Sequence, residues 1–233
     1  MSTIAENIAN IRARMNEAAK KAGRDPSEIL LCAATKMNDA ERVKEAVAAG
    51  VDCCGENRVQ EIQAKRPLGA YTGKPLHFIG HLQTNKVKYL VGVVDLIESV
   101  DRLELLECIE KQAEKVGVVQ NILFEVNIGA EESKSGFTPA QAMEIAAKMA
   151  EFPHCRLRGL MAIPPVSTYP GENRRYFAEM RNLFVDISKK KYDNVAMECL
   201  SMGMSGDYAD AIAEGATMIR VGTAIFGPRN YNV

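Results

Sequence analysis

The sequence predicts an α/β protein, a single (β/α)8 TIM barrel with an additional N-terminal helix and one domain over residues 1–233. Short apolar runs alternate with longer amphipathic stretches along the whole length, so the strands are joined by helices and must pair in parallel. Eight strand-like runs occur with no linker, low-complexity segment or composition break between them, which is the count a closed barrel needs. An open doubly wound sheet is the competing arrangement.

The opening stretch 2–22 is charged and amphipathic, which makes it a helix rather than a leader or a membrane span. The first strand, 29–35, is followed by a helix over 39–49, with Asp39 as its N-cap and Gly50 as a left-handed stop. Strands at 51–55, 76–79 and 94–98 come next. A helix over 102–117, begun by Asp101 and ended by Gly117, then leads to strand 119–127. The remaining elements are a helix over 139–151, a strand at 155–161, a helix over 172–190, a strand at 197–201, a helical pattern at 207–214 and a last strand at 217–221. The loop 164–171, with Pro164, Pro165 and Pro170, reads as a strand-to-helix connection.

Twenty-nine basic against thirty acidic side chains give a net charge of -1, which removes any whole-chain electrostatic argument for nucleic acid or a membrane surface. Small ligands are the expected partners, and a cytoplasmic address follows from the missing leader. The six cysteines, 32, 53, 54, 108, 155 and 199, lie mostly in apolar runs without Cys-x-x-Cys spacing, so they read as buried, reduced thiols and no metal site is expected.

Lys36 ends the first apolar strand. Lysine avoids burial unless paired, and one held in a partly desolvated mouth loses its proton more easily and can attack an aldehyde. A strand-terminal lysine also reaches solvent by default, so this residue alone leaves both readings open. A barrel sharpens the question, because the carboxyl ends of all eight strands meet on the face where such folds keep their sites. Those ends carry Lys36, Asn57, His81, Asp101, Asn127, Ser205 and Arg220.

Near the carboxyl terminus, Arg220-Val221-Gly222-Thr223 places an arginine in a strand and follows it with a glycine and a hydroxyl residue. Backbone N–H groups freed by glycine, a threonine donor and a helix start suit an oxyanion, and barrels commonly hold phosphate beside their seventh and eighth loops. Ser205 in the seventh loop serves either as a helix cap or as a phosphate donor. Arg220 serves either as an ion-pair partner or, because it never loses its proton, as a donor to an unprotonated ring nitrogen. A lysine, a phosphate cradle and an arginine facing a ring nitrogen together describe a pyridoxal 5′-phosphate site, and barrel closure makes the first and eighth strands neighbours.

Seven segments, in order, resemble the YggS/PROSC family of pyridoxal phosphate homeostasis proteins: Thr35-Lys36, Gly55-Glu56-Asn57-Arg58-Val59-Gln60-Glu61, the stretch from His77 to Lys86, Ser133-Lys134-Ser135-Gly136, Arg158-Gly159-Leu160-Met161-Ala162-Ile163, the stretch from Leu200 to Ser205, and the stretch from Arg220 to Gly227. The resemblance implies a barrel similar to the N-terminal domain of alanine racemases, with pyridoxal 5′-phosphate held as a Schiff base on Lys36. It also implies phosphate contacts from Ser205, Gly222 and Thr223, Asn57 beside the cofactor, and Arg220 facing the pyridine nitrogen.

Other patterns carry less. His77 and His81 straddle a strand end with no third ligand in view, which argues against zinc. The basic clusters at 85–88 and 189–191 are solvated faces, and Gly222 to Gly227 lacks the lysine of a nucleotide-binding loop. An arginine partner leaves the ring nitrogen neutral and the cofactor a weaker electron sink. With the chain stopping about ten residues after the last strand pattern and only 228–233 remaining beyond Gly227, the second base of a racemase is expected to be missing. The resulting expectation is a carrier acting in vitamin B6 and amino-acid homeostasis rather than an enzyme of fast turnover, monomeric, and delivering to pyridoxal phosphate-dependent apo-enzymes. A one-base racemase or other Schiff-base enzyme is the alternative, with a barrel aldolase using Lys36 a weaker third.

Overall fold

The computed structural model describes residues 2–131, 134–169 and 171–228. The sequence-based readings that fall on Met1, Ser133, Pro170 and 229–233 lie outside the described residues. Eight parallel strands close into a barrel in sequence order: β1 (Leu30–Ala34), β2 (Cys53–Glu56), β3 (Leu76–Phe78), β4 (Leu96–Val100), β5 (Gln120–Glu125), β6 (Cys155–Met161), β7 (Val195–Ser201) and β8 (Met218–Val221). The seam closes where β1 pairs with β8, with Cys32 aligned to Arg220 and Ala33 to Val221.

The mantle consists of α1 (Ile4–Lys21), α2 (Ala40–Ala48), α3 (Val59–Lys65), α4 (Leu103–Val116), α5 (Pro139–Ala146), α6 (Arg174–Lys190), α7 (Tyr208–Ala213) and α8 (Thr223–Phe226). Thr3 and Glu6 form a capping box at the start of α1, whose Ile4, Ile8, Ile11 and Met15 are buried. Fully burying an aliphatic side chain is worth roughly 1.5–3 kcal/mol, so that stripe secures the additional helix. Arg24, just beyond α1, donates to the carbonyls of Ile212 and Ala216, and Asn7 donates to that of Ile225, which straps the helix across the β1–β8 seam. Among the described residues no helix is long and apolar enough to cross a membrane.

Three local expectations are corrected. Strands β2 and β4 begin two residues later than the apolar pattern suggests, because Asp52 and Asp95 bracket the strand before: their carboxylates accept from Leu31 N (2.6 Å) and Leu76 N (2.7 Å). Asp101 does not cap α4; Arg102 holds that position without a side-chain cap, and the buried Asp101 turns to Arg102 Nη1 and to His81 Nδ1, 3.3 Å away. The helix read over 139–151 stops at Ala146 and resumes as a single 3₁₀ turn at Met149–Glu151.

The apolar core lies mainly between sheet and helices. Barrel interiors are usually filled by branched aliphatics. Here Leu96, Leu123 and Met161 fill one side, and the other carries Cys32, Cys53, Met218, His77, Glu98, Ser201 and Arg220.

Candidate functional site at the carboxyl end of the barrel

Strand β1 delivers Thr35 fully buried, and Lys36 follows half-buried in a turn. Both neighbours of Lys36 are anchored. Thr35 N donates to Gly55 O (2.9 Å) and its hydroxyl to Glu56 Oε1 (2.7 Å), while Lys65 Nζ donates to the Thr35 carbonyl (3.0 Å). Met37 N donates to Glu61 Oε2 (2.8 Å), which also accepts from Lys65 (2.6 Å). Lys36 thus projects from a backbone fixed by β2 and α3. Tyr71 donates to the same Glu56 oxygen (2.9 Å), and burial raises the Glu56 carboxyl above its ordinary range although Lys65 pulls the other way.

Strand β8 brings Arg220 to the seam, buried at 4% exposure. Its Nη1 donates to Ser201 Oγ (2.7 Å) and its Nη2 to Ala162 O (2.9 Å), and Ser201 Oγ donates onward to Glu98 Oε2 (2.6 Å). Glu98 Oε1 lies 2.7 Å from His77 Nδ1. A continuous polar chain therefore crosses the barrel interior from Arg220 to His77. Burial opposes the Glu98 charge, but His77, Arg220 and Ser201 together hold its carboxyl below the usual range.

After β8, Gly222 lies against the end of β1: a Cβ there would stand 3.3 Å from Ala34 O. Thr223 is exposed and opens α8. Ser205 does not cap α7, whose N-cap is Asp207; its Oγ accepts from Ala224 N at 3.4 Å, which joins the seventh and eighth loops. Of the two uses open to Ser205, the structure removes the cap.

Asn57 follows strand β2, half-buried, and its Oδ1 is buried without a hydrogen-bond partner. Orphaned polar atoms of this kind are uncommon and costly unless a ligand completes them. Asn57 borders a cavity of about 230 Å³ with Gly80, His81, Glu125, Asn127 and Lys134. Burial and the nearby Asp101 push the Glu125 carboxyl up to about 7, against the pull of Arg220.

Lys36, Asn57, Arg220, Gly222 and, through Ala224, Ser205 therefore gather around the carboxyl ends of β1, β2 and β8, with Thr223 at their edge. His81 joins this face, whereas His77 faces the barrel interior. Sequence reasoning missed Lys65, Glu61, Glu98 and Glu125. The only available signal for them was a charged residue inside an apolar strand or on the inner stripe of a short helix.

The family described as "Alanine racemase, N-terminal domain" matches residues 2–230. Pyridoxal phosphate homeostasis proteins of Aquifex aeolicus and Escherichia coli strain K12 are each 42% identical, the first over 97% of this chain and 98% of its own length, the second over 100% and 99%. PipY of Synechococcus elongatus, solved with pyridoxal phosphate bound, superposes with a TM-score of 0.82 at 32% identity, covering 97% of this chain and all of that one. An alanine racemase of Clostridium difficile shares the fold at 15% identity and a TM-score of 0.69, matched over 58% of its length.

Proposed function

This chain belongs to the pyridoxal phosphate homeostasis proteins, built on the alanine racemase N-terminal domain, and from that premise we propose that it holds pyridoxal 5′-phosphate as a Schiff base on Lys36 and keeps the free aldehyde low. The observation that carries the reading is the convergence of the β1, β2 and β8 ends: a lysine on an anchored turn, a buried arginine across the seam, and two loops joined at Ser205 and Ala224.

The residues suit the group. Arg220 is permanently protonated, so a ring nitrogen facing it must accept a hydrogen bond and stay neutral. Backbone N–H groups of Gly222 and Thr223 with the hydroxyls of Ser205 and Thr223 offer donors to a phosphate, and Gly222 leaves room beside β1. The orphaned Asn57 Oδ1 accepts from a polar group brought into the cavity. When bound, the cofactor supplies an aldehyde that condenses with amines and a ring that accepts electrons. Lys36 holds it, Arg220 fixes the ring's protonation, and the bolted turn keeps the amine in place.

The proposal includes action in the cytoplasm as a monomeric barrel of one domain, with pyridoxal phosphate-dependent apo-enzymes as recipients. The names and the bound ligand of the relatives support the cofactor. The test is the visible absorption of the lysine-bound cofactor, trapped by borohydride and located by peptide mapping. Label on Lys36, and no absorption in Lys36→Ala, is the expected result; an unchanged spectrum in that variant overturns the assignment. Incubating the loaded protein with single L-amino acids and following chirality separates carrier from racemase, with sustained turnover favouring the enzyme.

A further inference from the structure

Cys32 on β1, Cys53 on β2 and His77 on β3 stand inside the barrel, all buried, with their ligand-type atoms within 4.8 Å of one another. Their sequence spacing gave no sign of this, and the reading of His77 with His81 did not include the two thiols that the fold brings beside His77. The three strands are consecutive, Cys32 and Cys53 are register partners, and Gly55 aligns with His77. We propose that Cys32, Cys53 and His77 form a zinc(II) site in the amino-terminal half of the barrel, separate from the carboxyl-end face that carries Lys36.

Two thiolates and one imidazole are a recognised zinc donor set, with a fourth position left for water or another ligand. The second observation concerns orientation. Glu98, itself fully buried, holds His77 Nδ1 at 2.7 Å, which leaves Nε2 as the ring nitrogen for a metal, and a carboxylate behind a ligating histidine is the usual supporting arrangement. Charge decides the ion. Zn²⁺ with two thiolates and a neutral imidazole is neutral overall, whereas a monovalent soft cation leaves a buried negative charge. On binding, two S–H bonds break, two Zn–S bonds form, and the protons pass to solvent. Bond lengths of about 2.3 Å to sulfur and about 2.1 Å to nitrogen place tetrahedral ligand atoms about 3.6–3.8 Å apart, so the site closes by little more than about 1 Å. Access exists: a cleft of about 410 Å³ at the amino-terminal end of the barrel is lined by Leu30, His77, Leu96, Cys199 and Met218. The last two pack against the cysteine pair.

The experiment adds zinc(II) alone to reduced, chelator-treated protein in competition with a chromophoric chelator, and adds cobalt(II) in parallel. One equivalent of zinc and a tetrahedral cobalt spectrum with thiolate charge transfer are expected. Cys53→Ser and His77→Gln should abolish stoichiometric uptake, Glu98→Gln should weaken it 10–100-fold, and Cys108→Ser on the outer helix α4 should leave it unchanged. Uptake that survives in Cys53→Ser and His77→Gln overturns the proposal. If those variants do not fold, the unmodified protein still decides: a cobalt spectrum without thiolate charge transfer, or no stoichiometric zinc uptake by the reduced protein, refutes it.

Discussion

Lys65 Nζ donates to the carbonyl oxygen of Thr35 at 3.0 Å, so the residue before Lys36 is held by a lysine on α3. The same ammonium contacts Glu56 (2.9 Å) and Glu61 (2.6 Å), and Glu61 in turn accepts from the amide after Lys36. One buried cation thus ties together both backbone neighbours of the proposed cofactor lysine.

Lys65→Met should therefore destabilise the fold by about 3–5 kcal/mol, because it leaves the fully buried Glu56 carboxylate uncompensated. Urea denaturation measures this. Adding Glu56→Gln should recover a large part of the loss, since the stranded charge is then gone.

Gly80→Ala should cost about 1–3 kcal/mol by overpacking. A Cβ at Gly80 would stand 2.3 Å from Asn57 O, forcing apart the two loops that border the cavity, whereas a Cβ at Gly206 meets nothing within 4 Å. Gly206→Ala is the control in the same denaturation series.

Ser205→Ala combined with Thr223→Val should weaken cofactor retention by about a hundredfold or more, as each removes a donor to a charged phosphate worth roughly 1.5–3 kcal/mol. Equilibrium dialysis of the loaded protein reads it. The absorption of what stays bound should not change, because both hydroxyls are assigned to the phosphate and not to the lysine linkage.

Glu125 sets a pH dependence. Its carboxyl is raised to about 7 in the folded protein, mainly by burial, against 4.5 ordinarily, so the native state holds the proton more tightly than the unfolded chain. The stabilisation is fully present below about pH 4.5 and is lost as pH rises through about 7. Glu125→Gln should therefore be more stable than the parent by about 3 kcal/mol at pH 8, with the advantage vanishing near pH 4.5. Thermal melts across that range check the sign.

The strand carrying Lys36 and the strand carrying Arg220 were legible because each is an apolar run interrupted by one polar residue at a meaningful place. Asp39 and Gly117 were legible as helix ends because capping chemistry is local. Asp101 misled because a cap-like residue at a strand end was drawn instead to His81 and Arg102. Cys32, Cys53 and His77 were illegible as a group. In a strand buried on both faces, alternation does not tell inside from outside, and residues one β/α unit apart become neighbours only when the sheet curves.

The sequence by itself determined the element order, the parallel barrel, the family and the residues worth watching at its carboxyl end, because periodicity, caps and short motifs are local properties of the chain. Only the tertiary structure decided that Lys65 bolts the Lys36 turn, that Ser205 serves Ala224 rather than a helix, and that a polar chain runs from Arg220 to His77. Those pairings depend on barrel closure and on which strand face turns inward, and both are settled by packing the whole sheet at once.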